Sequence, residues 1–156
     1  MKIKEVIDPI LGKRCCRKRV GNWKSLSFGF GCKIRHGNPK LVDTYYGQWE
    51  IGTYQRSWRV VQGKTILLGG EDAMEIEELN TALGKIELKR LVAVRQSSEF
   101  DVRIEFDCEK AVEFLGAASD DATVRIFCPS DICAQYVIGQ GWIIGSGLAS
   151  SGRPCR

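Results

Sequence analysis

The sequence predicts an α+β fold that is mainly β: a curved antiparallel sheet or incomplete barrel with one packed α-helix over about residues 72–83. Three observations predict it. Apolar and polar residues alternate at period two in several stretches of the 156-residue chain, the spacing of strands with one buried face. Gly, Asn, Asp and Pro punctuate these stretches at short intervals, as antiparallel hairpins require. One segment alone switches to the 3.6-residue period of a helix.

Met1–Pro9 carries Lys2, Lys4, Glu5 and Asp8 and no uninterrupted apolar stretch, so an export signal is not expected there and the chain reads as cytoplasmic. Next comes a basic run, Lys13, Arg14, Arg17, Lys18 and Arg19, read as a solvated loop or as an edge strand guarded by charge. From Leu26 the alternation is strict: Leu26, Phe28, Phe30, Cys32 and Ile34 form one face of a long strand. His36-Gly37-Asn38-Pro39 ends it. Gln48–Tyr54 and Ser57–Gln62 follow as two strands with Gln55-Arg56 as a tight connection, and Trp49 and Trp58 are expected to form a cross-strand pair in the core. Gln62-Gly63-Lys64 turns into a short strand, Thr65–Leu68.

The helix is expected to start at Asp72, with Glu75 completing a capping box. Ile76, Leu79 and Leu83 form its apolar stripe, and Gly84 supplies a left-handed stop. Ile86, Leu88, Val92 and Val94 then share one parity. Phe100–Phe106 alternates cleanly, Asp107–Lys110 turns into Ala111–Leu115, and Thr123–Cys128 and Tyr136–Ile144 supply the last strands. Residues 1–145 read as one globular domain, and the Gly/Ser-rich residues 146–156 as a flexible tail.

Composition narrows the function classes. Hydrophobic residues make up 44% and charged residues 27%, too apolar for a disordered chain. No apolar run approaches the ~20 residues of a membrane helix, so no membrane association is expected. Seven cysteines, odd in number and irregular in spacing, read as reduced thiols. Residues 1–40 hold eleven Lys/Arg against two acidic residues, and the remainder twelve against seventeen. This asymmetry makes either two faces of opposite potential or interleaved charges.

Catalytic chemistry finds no support in the residues. His36 is the one histidine, there is no Gly-x-Ser-x-Gly elbow, and Cys32, four strand residues upstream, would lie about 13 Å away. Cys-x-x-Cys pairs are absent, so no tetrahedral metal site is expected. At Leu68-Gly69-Gly70-Glu71 the acidic Glu71, Asp72 and Glu75 would repel a phosphate at the helix start. The expectation is a non-enzyme with no catalytic residue, metal or cofactor.

Binding is the better-supported class. Candidate contact residues are the basic Lys13, Arg14 and Arg17, the turn residues Tyr45, Tyr54 and Arg56, and Glu75 and Glu78 on the acidic helix face. A nucleic-acid-binding module would use the basic run with Trp23 stacking on a base.

Gly12-Lys13 with Cys15, Ser25-Leu26-Ser27-Phe28-Gly29-Phe30, and Gly47-x-Trp49-Glu50 leading to Trp58-Arg59-Val60 resemble a group of small uncharacterised bacterial proteins. That group carries Gly-x-Trp and Trp-Arg-Val/Ile strands, and the likeness covers roughly residues 10–62. The resemblance implies an immunity-type protein that binds and neutralises a toxin domain, with the nucleic-acid module as the alternative.

Overall fold

The computed structural model describes residues 1–40 and 43–146. Among them the protein is mainly β, with eleven strands in two open antiparallel sheets. Strands β1 (Cys15–Val20), β2 (Leu26–Arg35), β3 (Tyr45–Thr53), β9 (Val124–Phe127), β10 (Ile132–Val137) and β11 (Gly141–Ser146) form a six-stranded sheet in the order β1-β2-β3-β9-β10-β11. Strands β4 (Trp58–Gln62), β5 (Thr65–Gly69), β6 (Leu91–Gln96), β7 (Val102–Phe106) and β8 (Lys110–Phe114) form a five-stranded sheet in the order β5-β4-β8-β7-β6. Two α-helices accompany them, α1 (Ile3–Ile7) and α2 (Ile76–Gly84).

The sheets face one another across a shared core. Phe28 and Phe30 of β2 bring their rings to 6.4 and 6.1 Å from Phe106 of β7. Ile51, Val60, Val112, Phe114 and Ile126 fill in around them. Along one side the sheets are stitched by backbone. Gly12 donates to the Leu91 carbonyl at 2.7 Å, Leu91 to Lys13 at 3.0 Å, and Cys15 to Lys89 at 2.8 Å.

The alternation of β2 holds only as far as Phe30. Leu26, Phe28 and Phe30 are buried, whereas Cys32 and Ile34 are exposed. The register shifts against β3 between Phe30 and Lys33, where Gly31 takes φ +82°, and beyond it Cys32, Lys33, Ile34 and Arg35 are all exposed, so this end of the strand has neither face in the core. One extra residue in a strand exchanges its two faces, as in β6, whose shift between Leu91 and Ala93 buries Leu91 and exposes Val92.

Several expectations are corrected by the topology. Gln55-Arg56 does not close a hairpin, because β3 and β4 belong to different sheets. Trp49 and Trp58 therefore make no cross-strand pair. Trp58 is buried in the core, while Trp49 is partly exposed beneath the Lys13 ammonium at 5.5 Å. Tyr136–Ile144 is not one strand; positive φ at Gly139 and Gly141 turns it into the β10–β11 hairpin. The expected tail begins within β11, at Ser146, and residues 147–156 lie outside the described residues.

The helix also starts later than the sequence suggests. Asp72 turns back to accept the Gly69 N–H at 2.9 Å, so the capping box moves to Glu75 and Glu78, with the Glu75 N–H donating to the Glu78 carboxylate at 3.3 Å. Its end needs no left-handed glycine, for Gly84 is absent from the positive-φ residues. Lys18 instead donates its ammonium to the Leu83 carbonyl at 3.0 Å and to that of Ile86, placing a cation at the negative end of the helix dipole. Leu79 and Leu83 are buried. Asn80 completes the attachment: its Nδ2 donates to the Val20 carbonyl at 2.8 Å and its Oδ1 accepts the Val20 N–H at 2.9 Å. The free edge of β1 is thereby covered.

Candidate functional site

The β1–β2 hairpin ends in a one-turn 3-10 segment, Asn22–Lys24. Trp23 and Lys24 both take left-handed backbone, φ 60° and 58°. For bulky L-residues this conformation costs about 1–3 kcal/mol each and persists only where the surroundings enforce it. Here they do. Gly21 donates to Ser25 at 3.0 Å and Ser25 to Asn22 at 3.2 Å. The Lys24 carbonyl accepts the buried Trp58 indole N–H at 2.7 Å, and the Lys24 ammonium donates to the Asp72 carbonyl at 3.0 Å. This clamped turn leaves Trp23 86% exposed.

Beside the tip runs a groove of about 1020 Å³. Trp23, Tyr46, Tyr54, Phe127 and Arg125 line it together with Arg17, Arg19, Asp43 and Glu50, and α2 contributes Ile76, Glu77 and Asn80. Its charged members form a network. The Arg17 guanidinium donates to Glu50, to Asp43 at 2.9 Å and to the Ser27 hydroxyl at 2.7 Å. Arg19 donates to both Asp43 oxygens, at 2.6 and 3.2 Å. Glu50, 3% exposed, also accepts the Gly47 N–H at 2.7 Å. Gly29 is required opposite it, since a Cβ there would collide with the Glu50 carboxylate.

Burial works against the charge on both sides of this network, and the pairing outweighs it. Desolvation would raise the Asp43 pKa, yet the hydrogen bonds and charges of Arg19 and Arg17 hold it below the usual carboxylate value. Desolvation would lower the Arg17 pKa, and Glu50 and Asp43 raise it. The thiols move the other way. Burial pushes Cys15 up to about 12 and Cys128 up to about 11, which keeps both protonated and weakly nucleophilic at neutral pH.

Of the eight residues named from sequence, Arg17 and Tyr54 line the groove. Arg17 is a buried structural ion rather than an open cation. Lys13 lies over Trp49, and Arg14 bridges to Arg90 on the stitched side. Tyr45 donates its hydroxyl to the Cys16 carbonyl at 3.3 Å. Arg56 stands 3.3 Å from Glu71 on the surface. Glu75 and Glu78 cap the start of α2.

His36 sits at the end of β2 with its Nε2 2.7 Å from the Asp43 carbonyl and its Nδ1 accepting the Asn38 N–H at 3.2 Å. With its ring 4.4 Å from that of Tyr46, it fastens the Asp43 segment to β2. Among the described residues no cluster of three or more His, Cys, Asp or Glu could hold a metal ion, and no helix is long and apolar enough to cross a membrane.

Asp43, Glu50, Asn80 and Arg125 were not legible as site residues, because each acts through a partner more than twenty residues away or through its place in the topology. Trp23 carried a sequence signal in its position between basic residues. Compared with protein-family models, curated proteins and solved structures, the chain matches none of them.

Proposed function

We propose that the chain is a non-catalytic protein-binding protein of the immunity type, which neutralises a bacterial toxin domain through the Trp23 tip and the adjoining groove. The observation that supports this reading is Trp23 itself, held almost fully exposed on strained backbone by four hydrogen bonds. A fold that stores strain to keep an indole out of its own core has a use for that indole elsewhere. Around it stand Tyr46, Tyr54, Arg19 and Arg125, and Trp, Tyr and Arg are the residue types that dominate binding hot spots.

The test is co-expression with the product of the adjacent gene, measuring affinity and protection from toxicity. Nanomolar binding and protection are expected. Trp23→Ala should weaken binding by about 2 kcal/mol or more at unchanged melting temperature. Absence of both binding and protection would end the reading. A parallel titration with RNA and DNA against salt should show no steep dependence, because Arg17, Lys18 and Arg19 spend their charges within the chain.

A further inference from the structure

Beyond Phe30 the β2–β3 pair leaves the body of its sheet. The pairing of β1 with β2 stops at Phe30, and that of β9 with β3 starts only at Glu50. Lys33, Ile34 and Arg35 pair with Gly47, Tyr46 and Tyr45 as a ribbon of two strands with no third strand alongside. Residues 32–35 are exposed on both faces, Ile34 at 48%. The ribbon is nonetheless held in shape. The Cys32 N–H donates to the Gln48 amide oxygen at 2.9 Å, the Tyr45 hydroxyl to the Cys16 carbonyl, and the His36 N–H to the Thr44 carbonyl at 3.3 Å. A preformed arm of this kind loses little freedom when a partner covers it.

The arm is positive. Residues 31–40 hold Lys33, Arg35 and Lys40 and no Asp or Glu. Lys13 and Arg14 stand at its foot, where the Arg14 carbonyl accepts the Gly31 N–H at 3.0 Å. Among the described residues, no carboxylate lies within ion-pairing reach of Lys13, Arg14, Lys33 or Arg35. Neighbouring charges cancel without drawing on these four. Arg17 and Arg19 are matched by Glu50 and Asp43. Arg90, bridged to Arg14, stands beside Asp107, whose carboxylate accepts its backbone N–H. Helix α1, which shares a cleft with Trp49, sets Glu5 and Asp8 against Lys2 and Lys4.

Two of the four cations are seated on aromatic rings. The Lys33 ammonium lies 4.7 Å from the Tyr45 ring centroid, and that of Lys13 5.5 Å from Trp49. Such a seat orients a cation without neutralising it. It also occupies a face of each ring on which a nucleic-acid base would stack. Ile34, exposed among the cations, adds an apolar contact of the kind protein interfaces bury.

We propose that this arm is a second contact surface for the protein partner, and that it reads an acidic patch there through Lys33 and Arg35, with Lys13 and Arg14 at its foot. The inference rests on the protein-binding reading and adds to it the charge of the partner's surface. Trp23 precedes β2 and Lys33 lies near its far end, about 25 Å away at the rise of a strand. One interface of standard size, about 800 Å² per partner, spans both.

The test needs no native partner. A capped hexaglutamate peptide is titrated at low salt into the ¹⁵N-labelled full chain, while the amides of residues 32–35 and the Nε–H groups of Arg14 and Arg35 are followed. Saturable shifts confined to the arm and its foot are expected, with an affinity on the order of millimolar. Replacing both Lys33→Gln and Arg35→Gln, two exposed side chains, should weaken binding about fivefold while the amides of β9 and β10 keep their positions. Equal shifts at the exposed Lys64 and Lys85, or equal shifts from a hexaglutamine peptide, would overturn the proposal. So would tighter binding of a thymidine oligonucleotide or a short DNA duplex at the same resonances, which would assign the arm to phosphate. Because the peptide stands in for the partner, its failure strikes the arm alone and leaves the co-expression result standing.

Discussion

Trp23 sits where glycine would be the unstrained choice. At φ 60° a residue without Cβ adopts the backbone at little cost, and the exposed indole contributes little burial to lose. Trp23→Gly should therefore leave stability unchanged or raise it by up to about 1 kcal/mol, measured by urea unfolding, while partner binding is lost. A fall of more than 1 kcal/mol would mean that the indole serves the fold.

Asp43 offers a second residue-scale expectation, with its sign fixed by pairing. Its folded pKa lies below the unfolded value, so the stability it contributes is present above about pH 4 and is lost as pH falls through the folded value. Denaturation midpoints measured from pH 6 to pH 2 should fall steeply at the acid end. Asp43→Asn should flatten that limb while lowering stability at pH 6. Neither effect was readable from sequence, where no pattern marked Asp43 and Arg17 belonged to a basic run read as a solvated loop or a charge-guarded edge strand. A side chain's charge can be read from its identity, whereas whether that charge is free depends on the strand folded against it.

At the scale of elements, period and punctuation predicted strands and helix well. They failed where one residue is inserted. The shifts after Phe30 and Leu91 interrupt the alternation of β2 and β6, and no local pattern announces them, because the bulge is set by pairing with another strand. The pairing of β3 with β9 was hidden for the same reason: it joins segments some seventy residues apart. The helix stripe of Leu79 and Leu83 was legible, yet its fastening was not. Asn80 lies outside that stripe and serves both backbone groups of Val20. Asn80→Ala leaves those groups without partners at a partly buried edge, a loss of about 1–3 kcal/mol. Thermal unfolding measures the loss, and hydrogen exchange should show the Val20 amide losing protection ahead of its neighbours in β1. Equal stability in the variant would mean that water replaces the asparagine at no cost.

Across the whole molecule part of the uneven charge of the sequence is neutralised inside the fold. Arg17 and Arg19 of the basic run pair with acids from β3 and the segment before it. The outer face of the five-stranded sheet carries its own alternating row, Arg59–Glu113–Arg103–Glu105–Arg95. What unites the sheets is the apolar layer between them and the backbone stitch of residues 12–15 with 89–91. Leu91 belongs to both, fully buried in the core and bonded to Gly12 and Lys13. A core shared in this way should unfold in one cooperative step. Leu91→Ala should remove about 2–5 kcal/mol from both sheets at once, although Leu91 lies in only one of them. Native-state hydrogen exchange decides this: amides of β2 and of β8 should share one protection free energy in the parent, and lose the same amount in the variant. Were β8 to lose protection while β2 kept its own, the sheets would be separate folding units.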